Sequence, residues 1–271
     1  MDRNIFCLKK YSARRRLPSF HYREVILNVV LDYCKKENIR NVVSGRYEQD
    51  ILKSLSSLLS YVILMATSTT ILEAQANCLA IRQIESTTFD EVPKEIDHEL
   101  IQFVGEFMNK ENILKVCKIV NSELDTIIKD GTAITVCSVK SFDNLLNKCI
   151  EHILKPDFYE ELQKLLKGIT KESAYMDYDF RNLKKFSIRK FGEWCNMGIV
   201  KSCIQDLLPI IISFCFDNDK VINPMLDAKI LHCVDELHSI HDKRNYNKKI
   251  HVAFGPLYEY SIVALENYPF N

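Results

Sequence analysis

The chain has 271 residues, 47% of them hydrophobic, with 7 Gly, 7 Pro and a charge ledger of 36 Lys and Arg against 36 Asp and Glu. Such a composition excludes an intrinsically disordered chain, a collagen-like repeat and a small disulfide scaffold. Zero net charge supplies no global field for a polyanion, so nucleic acid is not an expected partner.

Scarce Gly and Pro with abundant Leu, Ile and Lys favour helices, and the hydrophobic period agrees. A first helix is expected over about 22–43, with Val25, Ile26, Val29, Val30 and Tyr33 on its buried face and Gly45 as its stop. A second, over about 49–84, starts with a stripe of Ile51, Leu52, Leu55, Leu58, Leu59, Val62 and Ile63 and then turns apolar nearly all round. That is the pattern of a central helix. Residues 87–94 read as a loop, with Pro93 suited to a first helical turn. From 97 to 129 helical spacing persists as one long helix, or as two joined near Asn109, ended by Asp130-Gly131.

The stretch 132–139, TAITVCSV, alternates like a short strand, but a lone strand has no partner, so a loop or helix start is preferred. Ser141 is placed as the cap of a helix to Leu154, and Asp157 with Glu160 as the capping box of another that stops at Gly168. Residues 180–216 read as one or two helices with a kink or boundary at Pro209. Asn223-Pro224 opens a helix to about His241, and Pro256 a last one to Tyr268. No repeat of solenoid length recurs. The expectation is an all-α fold, a single elongated bundle of long antiparallel helices over 21–271 behind a basic N-terminus, 1–20, that carries Lys9, Lys10 and Arg14 to Arg16.

Chemical motifs are sparse. None of the ten cysteines forms CxxC, and most lie among apolar residues of helices, as in LKVCKIV and ISFCF; buried free thiols in a reducing compartment are expected. No GxSxG, P-loop, HExxH or GxGxxG occurs. His232, Asp235, His238 and His241 trace a drifting helical stripe capable of metal ligation. Because Ile230, Cys233, Val234 and Leu237 define the buried face there, a solvated histidine cluster is preferred to a metal site. The segment 181–191, RNLKKFSIRKF, interleaves five basic residues with Leu183, Phe186, Ile188 and Phe191. It reads as basic side chains lying along a buried helix, with weak contact to a membrane surface as the other use. The longest apolar stretches, such as LLSYVILMA, are too short to cross a bilayer, and the N-terminal residues hold no signal-like run, so neither a transmembrane segment nor secretion is expected.

Three stretches resemble, in order, the first soluble helices of the peroxisomal biogenesis factor 3 family: LPSFHYREVILNVVLDYCKKENIRNVVS, YEQDILKSLSSLLSYVILMATSTTILEAQANCLA and DHELIQFVGEFMNKENILKVCKIVNSELDTIIKD. LKPDFYEELQKLL and INPMLDAKILHCVDELHSI are similar to later family segments. That family is helical and anchors a chaperone-receptor at the peroxisomal membrane. Two departures stand out: the family begins with a membrane anchor, and it carries a groove tryptophan near the start of its second helix, where this chain has Gln49.

The resemblance implies a non-enzymatic docking or scaffold protein that binds an amphipathic helix of a partner similar to peroxisomal biogenesis factor 19. The place would be the cytoplasmic face of the peroxisome or the cytosol. It would set Val42, Val43, Arg46, Ile51, Leu52 and Leu55 near the partner groove, although ordinary helix packing accounts for the same residues equally well. No cofactor, metal or catalytic residue is expected. Two other readings stay open, namely a cytosolic enzyme whose site assembles from distant Cys and His residues, and a helical interaction scaffold with no peroxisomal role.

Overall fold

A computed structural model describes residues 25–30, 32–33, 46–85, 104–129, 139–171, 178–215 and 254–266. The described part is all-α, with no strand. Seven longer helices follow one another: α1 Arg46–Glu85, α2 Lys110–Lys129, α3 Val139–Ile153, α4 Pro156–Lys171, α5 Tyr178–Asn196, α6 Ile199–Cys215 and α7 Gly255–Glu266.

Helix α1 has 40 residues, about 60 Å of rise, and organises the rest. It packs against α2, α3, α5, α6 and α7. Every residue from Leu55 to Cys78 is buried, the polar ones included. Over Leu55–Cys78 this helix therefore has no solvent face to support, which is why the sequence there turns apolar nearly all round.

Helices α2 to α6 are amphipathic, each with one buried stripe. In α2 that stripe is Ile113, Val116, Cys117, Val120 and Leu124; in α4 it is Phe158, Tyr159, Leu162 and Leu166. Burying each such side chain contributes roughly 1.5–3 kcal/mol, enough for the tertiary core rather than intrinsic propensity to hold these helices.

Of the two readings of 97–129, one long helix or two joined near Asn109, the structure has the second. Residues 104–107 are helical, and α2 starts at Lys110. Asn109 acts as the cap: its Oδ1 accepts the Asn112 amide at 2.9 Å, and its backbone carbonyl accepts the Ile113 amide at 3.0 Å.

Several sequence-based boundaries shift. The first segment buries Ile26, Leu27, Val30 and Tyr33, keeps Val29 partly buried and leaves Val25 exposed, so its buried face is turned by about 60° from the expected one. Helix α3 begins at Val139, two residues ahead of the expected cap at Ser141. In α4 the chain is turned at Lys155, whose carbonyl accepts the Phe158 amide at 3.0 Å. Pro156 takes the first helical position, where its missing N–H costs nothing, and Asp157 supports the first turn electrostatically rather than as the cap. The same helix runs past Gly168 to Lys171.

The largest shift concerns Pro209. It lies inside α6 on the exposed side, where water can satisfy the Gln205 carbonyl that loses its amide partner. The real boundary is Met197-Gly198. Gly198 has φ +76° and its amide returns to the Cys195 carbonyl at 3.0 Å, a glycine C-cap that ends α5. Its own carbonyl then accepts the Ser202 amide at 2.9 Å and opens α6.

These two glycines predict opposite outcomes. Gly198→Ala forces a Cβ into the left-handed region and is expected to cost about 1–2 kcal/mol. A Cβ at Gly168 meets nothing within 4 Å in an exposed helix interior, so Gly168→Ala is expected to stabilise by about 0.5–1 kcal/mol. Urea midpoints of the two variants, measured side by side, check both signs.

The stretch 132–138, the 223–241 helix and the 1–20 segment lie outside the described residues.

Candidate functional site

The residues that the sequence nominates for partner binding gather at the start of α1. Arg46, Ile51 and Leu52 lie in its first two turns, and Leu55 opens the buried section, 1% exposed. Helical geometry puts positions 51, 52 and 55 within about 100° of arc. Val42 and Val43 lie outside the described residues, as do His232, Asp235, His238 and His241. Among the described residues no three His, Cys, Asp or Glu side chains gather in a metal-binding group.

The middle of α1 carries an unusual amount of polarity for a core helix. Ser68 and Thr69 hydroxyls donate to the Met65 carbonyl at 3.0 and 2.9 Å, and Thr70 to Ala66 at 2.8 Å, each closing on the turn behind. Asn77 reaches across to α7, its Nδ2 donating to the Ser261 carbonyl at 2.8 Å and to the Ser261 hydroxyl at 3.2 Å. The Ser56, Ser60 and Thr67 hydroxyls and both amide atoms of Gln75 are buried without a hydrogen-bond partner among the described residues. By length and composition the stretch Leu55–Cys78, with an 18-residue window of mean hydropathy 1.6, is apolar enough to cross a membrane, yet it is wholly enclosed by protein. Counting only the longest apolar stretches misses such a helix, because its Ser and Thr positions break the stretches up without lowering the mean far.

The basic segment of α5 divides in a way the sequence does not show. Its buried stripe is Lys184, Ser187, Ile188, Phe191, Trp194 and Cys195, the i, i+3, i+4, i+7 rhythm extended by a turn. Lys184 is 1% exposed, and its Nζ stands 3.6 Å from Glu106 Oε2 in the helical turn before Asn109. The head group is thus inside with the stem, and a lysine expected to reach for solvent is a core residue. Phe186 lies off that stripe and is 53% exposed, with the Arg189 guanidinium 5.3 Å from its ring centroid. Arg189 and Lys190 both approach Glu193, at 3.5 and 3.7 Å, which offsets part of the local positive charge.

Five cysteines, Cys78, Cys117, Cys149, Cys195 and Cys203, are buried thiols in no disulfide. Loss of hydration pushes Cys78 and Cys149 up to about 11 and Cys203 to about 12, and raises Cys195 as well. At Cys78 the Lys190 charge and the Ser187 hydroxyl pull the other way but do not prevail. Such thiols stay protonated near neutrality and make poor nucleophiles. Alkylation at mild alkaline pH, followed by peptide mapping, is therefore expected to label these five only after denaturant is added.

Stability follows the same protons. The folded state holds them more tightly than the unfolded chain, so this contribution is complete below the ordinary thiol value of 9.0 and is lost as pH rises through about 11. Urea midpoints are expected to fall across that window.

Sequence reasoning missed the Asn77–Ser261 tie, the burial of Lys184 and the turn at Gly198. Only the last had a local signal, in Asn196-Met-Gly198.

No known protein family, curated protein or solved structure matches the chain.

Proposed function

We propose that this chain is a non-enzymatic docking protein that receives an amphipathic helix of a partner near the start of α1, as its resemblance to the peroxisomal biogenesis factor 3 family implies. The observation that supports it best is α1 itself, one continuous helix from Arg46 whose middle is enclosed by five others. A helix held this firmly gives its first turns, with Arg46, Ile51 and Leu52 ahead of the buried Leu55, a rigid base on which a partner's apolar i, i+3/i+4, i+7 face can lie. A few aliphatic anchors would supply most of the affinity. Gln49, in place of the family's aromatic residue, predicts weaker binding or a changed partner.

The buried thiols add to this reading from another direction, since Cys78, Cys149, Cys195 and Cys203 are held protonated by their surroundings and are poorly suited to covalent catalysis.

The test is a titration of the purified chain with the amphipathic N-terminal peptide of the same species' peroxisomal biogenesis factor 19. Saturable binding that Ile51→Asp or Leu52→Asp removes would support the proposal. No binding at about 100 μM peptide, equivalent to roughly −5.5 kcal/mol, would sink it.

A further inference from the structure

Met197 sits in the two-residue turn between α5 and α6 and is 60% exposed. Its sulfur accepts a hydrogen bond from the Tyr260 hydroxyl of α7 at 2.8 Å. The Tyr260 ring in turn stands edge-on to Trp194, with centroids 5.8 Å apart and planes at 84°. Trp194 is 1% exposed and is the chain's one tryptophan. A solvent-accessible thioether, a phenol and a buried indole thus form one line of contacts running from the turn into the interior and tying α5 to α7. Met65 and Met108, by contrast, are each 2% exposed.

We propose that Met197 is a site of reversible sulfoxidation whose state is passed to the packing of α7 through Tyr260. The oxidant is a hydroperoxide. A sulfur lone pair attacks the terminal peroxide oxygen, the S–O bond forms as the O–O bond breaks, and the proton of the attacked O–H passes to the departing oxygen, which leaves as an alcohol, or as water when the oxidant is hydrogen peroxide. Sulfur loses two electrons and the peroxide gains them.

The consequence follows from the acceptors involved. One sulfur lone pair is engaged by the Tyr260 hydroxyl, so oxygen adds through the other, and the new sulfoxide oxygen is a much stronger acceptor than the thioether. The Tyr260 hydroxyl turns from sulfur to oxygen, and its ring, held edge-on to Trp194, moves with it. The indole is therefore a built-in reporter of the modification.

The experiment treats the full chain with hydrogen peroxide and follows peptide masses and tryptophan emission together. Met197 is expected to gain one oxygen roughly tenfold faster than Met65 or Met108, as its exposure dictates. Emission should change in step, and the methionine sulfoxide reductases should reverse both. Met197→Leu, a change at an exposed position, should keep the fold and abolish the emission response. Tyr260→Phe should still be oxidised at Met197 but lose the response. The proposal is overturned if Met65 or Met108 oxidises as fast as Met197, if complete Met197 oxidation leaves the emission unchanged, or if Tyr260→Phe responds as the unaltered chain does.

Discussion

Trp194→Ala is expected to be the most damaging single truncation in the described core, at about 3–5 kcal/mol. The indole is 1% exposed on the buried stripe of α5, a helix that packs on α1, α4 and α6. Removing it opens a void in the core beside Tyr260, and a close-packed interior relaxes into such a void only in part. The edge-on contact with Tyr260 adds roughly 0.5–1.5 kcal/mol beyond area and is lost as well. Against a total stability of about 5–15 kcal/mol, that is enough to leave a visible unfolded fraction at moderate temperature. Trp194→Phe, which keeps most of the volume, is expected to cost less than half as much. Urea melts followed by far-ultraviolet circular dichroism decide it, since both variants lose the indole. A loss below about 1 kcal/mol for the alanine variant would mean that the α5–α7 packing described above is wrong.

The second large effect concerns Lys184 and Glu106. An ammonium 1% exposed, 3.6 Å from a carboxylate oxygen of a residue about one-third exposed, is a pair whose hydration loss competes with its attraction. Glu106→Ala removes the compensating charge and leaves the lysine inside. Breaking a fully buried pair costs about 3–5 kcal/mol, and the partial exposure of Glu106 brings the expectation down to about 2 kcal/mol.

Lys184→Met behaves differently. It keeps the length of the side chain while deleting the charge together with its desolvation cost, so a change within about 1 kcal/mol of zero is expected. The double variant Glu106→Ala, Lys184→Met should then be more stable than Glu106→Ala alone, a coupling that a double-mutant cycle in urea reads directly. Equal losses from the two single variants would show that the charge is not what matters at this position.

How much of this was legible beforehand depends on the range of the information. The central helix announced itself, because a stretch that is apolar on every side has nowhere to go but the interior. The break at Asn109 could be read too, since an Asn at the head of a renewed apolar period is a local capping signal. Gly198 carried an equally local signal, but Pro209 drew attention away from it; a proline on the wet side of a helix is tolerable, and which side is wet is not local information. Lys184 and Phe186 make the same point two residues apart. Composition gives both the same amphipathic helix, and only the rotation of α5 against α1 and the 104–107 turn places the charged residue inside and the aromatic one outside.

The candidate partner site shows the same division. The helical period puts Ile51, Leu52 and Leu55 on one helix, and they lie on one helix, which begins three residues ahead of the expected start, at Arg46. Whether such a helix offers a groove depends on what packs beside it, and Leu55 is already committed to the core.

The sequence by itself determined the helical class, the long central helix and the thiol character of the buried cysteines, because helical period and apolar surroundings are properties of short windows. The tertiary structure alone decided which face of each helix is wet, where an ammonium could be enclosed beside a carboxylate, and that Asn77 meets Ser261 and Met197 meets Tyr260. Those outcomes depend on helix rotation and on pairs of residues far apart in the chain, and no local pattern of residues fixes either.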